Sequence, residues 1–140
     1  MRIALAQTDA VLGDIAANAA TAERLIDDAT AQGAEMVVFP ELSLSGFSVG
    51  EIPEDISLGL DDKHLVGLGE RTEAGVLVGF PEAQTHGLHT YNSAAYFEGR
   101  RLMVSHSNEY RVPGDGEKVD VQKAMRSTQG LDERPKPQQP

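Results

Sequence analysis

There is no cysteine in these 140 residues, and no tryptophan. The first absence removes disulfides, thiolate metal sites and a cysteine nucleophile together, and it leaves the redox compartment unspecified. Aromatic residues make up 5% of the chain against 40% apolar overall, so a core has to be assembled mainly from Ala, Val, Leu and Ile. No apolar run approaches the length of a membrane span. The opening "MRIALAQTDAVLGD" carries one Arg, and Gln7, Thr8 and Asp9 break its apolar run, which a signal peptide would keep intact. A soluble, cytoplasmic chain with one domain is expected. Positive charge is also scarce. The net charge is −10, and the whole of the excess lies in residues 1–113, since acids and bases balance over 114–140. An acidic surface repels nucleic acid and anionic membranes, so neither is expected as a partner. Solubility or a salt-rich cytoplasm accounts for this charge more simply than a specific cationic partner.

What is present reads as alternating strands and helices. "RIALAQ" (2–7) has strand alternation, with Ile3, Leu5 and Gln7 assigned to one face. "VLGD" makes a turn that leaves Asp14 to cap a helix over 15–31, where Ile15, Ala19, Ala22, Leu25, Ile26 and Ala29 fall at helical spacing and Gly33 stands just past the end. "EMVVFP" follows as a nearly continuous apolar strand ended by Pro40, and its continuity predicts burial on both faces. Residues 41–60 read as loop, 61–71 as a weak helix interrupted by Gly67 and Gly69, and "GVLVGFPE" (75–82) as a second apolar strand running into Pro-Glu. Residues 90–107 read as a hairpin with Glu98-Gly99 supplying the turn. After Pro113 no period is sustained. Residues 114–140, ending "RPKPQQP", are expected to form a largely disordered tail with at most a short helix over 119–126, against a domain at 1–113.

Glu41 is the leading candidate for chemistry. A carboxylate at the C-terminal end of a buried strand sits where open α/β sheets place ligands, and partial burial there would suit it to proton transfer near neutrality. On spacing alone, a solvated loop glutamate explains it as well. Glu82 shares the local pattern without further support. Ser43 and Ser45 in "LSLSG" resemble a nucleophile elbow only superficially, because neither has a Gly two residues before it, and bonding of their hydroxyls to backbone is the simpler reading. "HGLH" (His86, His89) and "DDKH" (Asp61, Asp62, His64) lack a third defined ligand, so no metal is expected. "GLGERT" (67–72) lacks the third glycine of a phosphate-binding turn.

Taken in order, "RIALAQTDAVLGDIAANAATAERLIDDATAQGAEMVVFPELSLSGF", "VLVGFPE" and "YNSAAYFEGR" resemble the N-terminal half of the carbon–nitrogen hydrolase (nitrilase and aliphatic amidase) superfamily. "VVFPELSLSGF" carries the family's "FPE" passage, with Phe47 where Tyr is commoner, and Tyr91-Asn92-Ser93 opens the hairpin as in the family. The resemblance implies an α/β fold, the first half of an α-β-β-α sandwich, with an irregular C-terminal tail. It implies hydrolysis of amides or nitriles, or acyl transfer, by a Glu-Lys-Cys triad without a cofactor: the cysteine attacks carbon, the glutamate moves protons and the lysine steadies the oxyanion. Glu41 matches the family glutamate.

The other two members have no match. The family lysine falls on Asn108 or Glu109 in "SHSNEYRVP", and nothing supports moving the role onto Lys118 or Lys123. The motif resemblance stops near residue 107. Strands that the missing half would cover are expected to leave an exposed face or edge, with marginal stability, association or dependence on a partner. Two readings follow. One is a truncated or diverged carbon–nitrogen hydrolase that keeps Glu41 and is inactive alone. The other is a non-catalytic α/β module binding a small ligand or a homologous subunit. Expected partners are a second copy or a complementing family subunit, and a small amide or nitrile.

Overall fold

The computed structural model describes residues 1–47, 55–83 and 90–109, with 104–109 as backbone. Seven elements follow one another: β1 (Ile3–Leu5), α1 (Ile15–Ala31), β2 (Met36–Val38), α2 (Lys63–Glu70), β3 (Gly75–Ala83), β4 (Thr90–Glu98) and β5 (Arg101–Glu109). The five strands form one sheet in sequence order, β1-β2-β3 parallel and β3-β4-β5 antiparallel. The change of direction follows from the connections. A helix carries the chain from β1 to β2, and α2 lies on the path from β2 to β3, as parallel pairing requires, whereas a two-residue turn joins β4 to β5.

The helices start where the sequence supplies caps. Asp14 accepts from the Ala17 amide at 3.0 Å, and Asp62 accepts from the His64 amide at 2.8 Å. Helix α1 ends at Gln32, and Gly33 takes φ +83°, the left-handed conformation that closes helix C-termini. On α1 the buried stripe is Ala19, Ala22 and Ile26, small residues that let the helix lie close to the sheet. Helix α2 buries Leu65 and Leu68 beside it, and Gly69 rests directly against the Phe97 ring. On the outer surface Arg71 ties the two helices, bonding Asp27 at 2.6 and 2.7 Å with Glu23 at 3.5 Å. Both helices pack on one sheet face, against Val37, Val76, Val78, Phe80, Ala95 and Phe97, each 2% exposed or less. Fully burying a side chain of this kind stabilises by about 1.5–3 kcal/mol, so this face holds most of the fold's apolar stabilisation.

The opposite face has no helix on it among the described residues. Register and alternation place Ile3, Leu5, Met36, Val38, Leu77, Ala94 and Tyr96 there. Ile3 is 48% and Leu5 76% exposed, and the others are half-buried. Two expectations from the sequence are corrected here. In β1 the inward residues are Ala4 and Ala6, which pack on the core, and Ile3 and Leu5 point outward: a strand face is chosen by what covers it, and only the alanine side meets α1. The apolar continuity of 36–39 marks an apolar residue on each face, with Val37 buried and Val38 on the open side, and does not mean that both are buried. The hairpin itself forms as expected. Its turn residues are Gly99 (φ +55°) and Arg100 (φ +65°), the paired left-handed conformation of a two-residue turn, one position later than Glu98-Gly99. An Arg100–Glu73 ion pair at 2.8 Å holds the turn. The expected tail at 114–140 lies outside the described residues.

Candidate functional site

The site is built by the way β2 ends. The Phe39 amide still donates to the Leu77 carbonyl at 2.9 Å, but Pro40 has no amide to give, and the ladder stops. The chain then lifts over β3 and is fastened again three residues on. The Leu44 amide and the Ser43 hydroxyl both donate to the Gly79 carbonyl, each at 3.2 Å. Leu42 takes φ +49°, and its carbonyl accepts from the Ser45 and Gly46 amides at 3.1 and 2.8 Å. A left-handed leucine costs about 1–2 kcal/mol, offset here by the burial of Leu42 and Leu44, 2% and 0% exposed. Asn18 of α1 secures the far side: its amide nitrogen donates to the Leu44 carbonyl at 2.9 Å and the Val11 carbonyl at 2.8 Å, while its oxygen accepts from the Val11 amide at 2.8 Å.

Glu41 is the exposed residue in this otherwise buried turn. Beneath it Gly79 is required for close approach. A Cβ at that position would stand 2.5 Å from the Leu42 nitrogen, 2.8 Å from the Pro40 oxygen and 3.0 Å from the Glu41 carbonyl carbon. Across the sheet, the Asn92 side-chain amide donates to Glu41 Oε1. A carboxylate only accepts, so this contact fixes the amide's orientation and leaves Oε2 free of that bond. An open groove of about 300 Å³ lies here, lined by Pro40, Glu41, Leu77, Gly79, Asn92 and Ala94 among others, on the face that the helices leave uncovered. No basic residue lines it. Its one hydroxyl, Ser93, is buried and donates to Glu82 Oε2 at 2.6 Å.

Glu41 therefore stands where a strand end was expected to deliver it, but it is exposed and lacks the partial burial expected of it, because the face beside it is open. Asn92 was noticed in the sequence only as part of the hairpin; its contact with Glu41 depends on β2, β3 and β4 lying side by side, which no local pattern reveals. Register places Asn108 opposite Asn92 and Glu109 opposite Tyr91, so of the two positions considered for a lysine, 108 shares the Glu41 side of the sheet. Ser43 and Ser45 bond backbone carbonyls. Asp62 is a helix cap, and Gly67 and Gly69 lie within α2. No group of three metal-ligating residues occurs among the described residues, and His86 and His89 fall outside them. Among the described residues, no helix is long and apolar enough to cross a membrane.

A five-stranded mixed sheet with its helices on one face, carrying a glutamate at the end of the second strand, defines an α/β hydrolase-like half-domain of the nitrilase fold. The chain belongs to the carbon-nitrogen hydrolase family, whose model matches residues 2–129 and so extends past residue 107, where the recognisable motifs stop. Solved structures share the fold. The NitN amidase from Neterenkonia sp. AN1 superposes with TM-score 0.66 at 24% identity, over 81% of this chain and 46% of its own. Saccharomyces cerevisiae Nit3, of the nitrilase superfamily, gives 0.64 at 22%, over 83% and 48%. The glutamine-dependent NAD+ synthetase of Acinetobacter baumannii gives 0.61 at 23%, over 81% of this chain and 22% of that one. The chain thus spans less than half the length of each. No curated protein matches it.

Proposed function

We propose that this chain is the glutamate-bearing half of a carbon–nitrogen hydrolase and does not hydrolyse amides or nitriles by itself. The observation that carries the reading is Glu41 held by Asn92 in an open groove, in a chain without cysteine. In the family reaction the glutamate takes the proton of the attacking thiol and returns it to the leaving nitrogen. With Oε1 engaged by Asn92, Oε2 is the oxygen that would carry that proton. The groove supplies neither the thiol nor a cation for the developing oxyanion, which removes both covalent attack and charge stabilisation. The setting of this reading is cytoplasmic, the ligand a small amide or nitrile, and no cofactor takes part.

Ammonia release from short aliphatic amides and nitriles by the purified chain tests it. No release above buffer is expected. Turnover that disappears in Glu41→Gln would overturn the inactivity, and turnover that survives it would overturn the role of Glu41 as well. The second reading, a non-catalytic module, is favoured by the open groove and face. It predicts saturable binding of a short amide that weakens in Asn92→Ala.

A further inference from the structure

The open sheet face is the largest unpartnered feature among the described residues. It contains Ile3, Leu5, Met36, Val38, Leu77, Ala94 and Tyr96, apolar except for the tyrosine hydroxyl, with Gly75 and Gly79 between them. Between its rims it carries no charged side chain, in a protein of net charge −10. Isolated exposed apolar residues are ordinary, but a contiguous uncharged face across neighbouring strands is a surface for association.

We propose that this face docks a second copy of the same chain, sheet against sheet, to give a symmetric dimer with the helices outermost. The proposal does not depend on the catalytic reading, since association and turnover are measured separately. Three observations select the occupant. The first is size. Five strands spaced about 4.8 Å apart, with longer strands of about 20 Å usable length, make a face able to bury roughly 600 Å² per copy, at the lower bound of specific association. The second is charge. A two-fold contact sets a surface against itself, so any charge on it tends to meet its like. Here Asp27, Asp28, Glu23 and Glu70 stand on the helices, away from the contact, and there is no fixed charge by which a partner of opposite sign could be selected. The third is the position of Glu41, the carboxylate nearest the face. It lies past the C-terminal end of β2, so a two-fold axis running across the strands sends the two copies' Glu41 to opposite rims. Sheets packed this way lie about 10 Å apart with strand directions within about 30°.

Sedimentation velocity on the purified full chain over micromolar concentrations tests the proposal. The expected result is a concentration-dependent species of twice 15.0 kDa. Leu77→Lys at the centre of the face is expected to weaken association by roughly tenfold or more. Leu77 is half-buried, so Leu5→Lys supplies a second test that folding cannot confound: Leu5 is 76% exposed, and a several-fold weakening is expected. Ala20→Lys, exposed on α1, is expected to leave association unchanged. A monomer at every concentration would overturn the proposal, and so would a dimer insensitive to both Leu5→Lys and Leu77→Lys or disrupted equally by Ala20→Lys. A face that stays monomeric alone but captures a separate family half-domain would transfer the surface to that partner and refute self-association.

Discussion

Replacing Gly79 by alanine probes the site with a single methyl group. At an unobstructed strand position the exchange stabilises, since an interior glycine costs about 0.5–1 kcal/mol relative to alanine. Here the added Cβ would lie 2.5 Å from the Leu42 nitrogen, 2.8 Å from the Pro40 oxygen and 3.0 Å from the Glu41 carbonyl carbon. All three are backbone atoms, so no side-chain rotation relieves the contact. The turn has to move, against the bonds from Leu44 and Ser43 to the Gly79 carbonyl and the burial of Leu42 and Leu44. Overpacking of this kind costs about 1–3 kcal/mol, and the propensity gain offsets only part of it. The expected outcome is a net loss of about 1–2 kcal/mol, with Tm lower by about 4–8 °C for each kcal/mol in a domain of this size. Gly67→Ala is the control. Nothing lies within 4 Å of its added Cβ, and it sits inside α2, so a gain of about 0.8–1 kcal/mol is expected. Urea unfolding of both variants gives the comparison. A Gly79→Ala protein as stable as its parent would refute the close crossing of the turn over β3, and with it the placement of Glu41.

Two further outcomes are expected. Asn18→Ala removes three buried hydrogen bonds to Val11 and Leu44 and leaves their backbone groups unpaired, for a loss of about 2–4 kcal/mol in urea unfolding. The Arg71 guanidinium holds the Asp27 carboxyl below its ordinary value of 3.8, so the stability this pair adds is present above that pH and is lost as pH falls through the folded-state value. The pair is solvent-exposed and its effect small and salt-sensitive, and Asp27→Asn is expected to flatten the acid limb of the stability curve at low ionic strength without changing it near neutrality.

The parts of the fold legible in the sequence were those set by neighbours along the chain. Asp14, the stripe Ala19-Ala22-Ile26 and Gly33 define α1 through local chemistry, and each stands in its expected role. The hairpin was legible from apolar strands around a glycine, but its turn centre was not, because Arg100 in a left-handed conformation has no composition signal. The facing of β1 was not legible either. Ile3 and Leu5 are the stronger apolar pair, and only the position of α1 makes Ala4 and Ala6 the inward side. At the site, Glu41 was legible from the strand ending in Pro-Glu. Its support was not, since Gly79 and Asn92 reach it only through the pairing of three strands.

The central claim is that the chain presents the family's proton-transfer residue without a nucleophile for it to serve. Intact-mass spectrometry after incubation with a short aliphatic amide or nitrile addresses this most directly, because a covalent family reaction must pass through an acylated protein. The account predicts a single species at the unmodified mass of 15.0 kDa. A stoichiometric acyl adduct that forms on the parent chain and is absent from Glu41→Gln would contradict it.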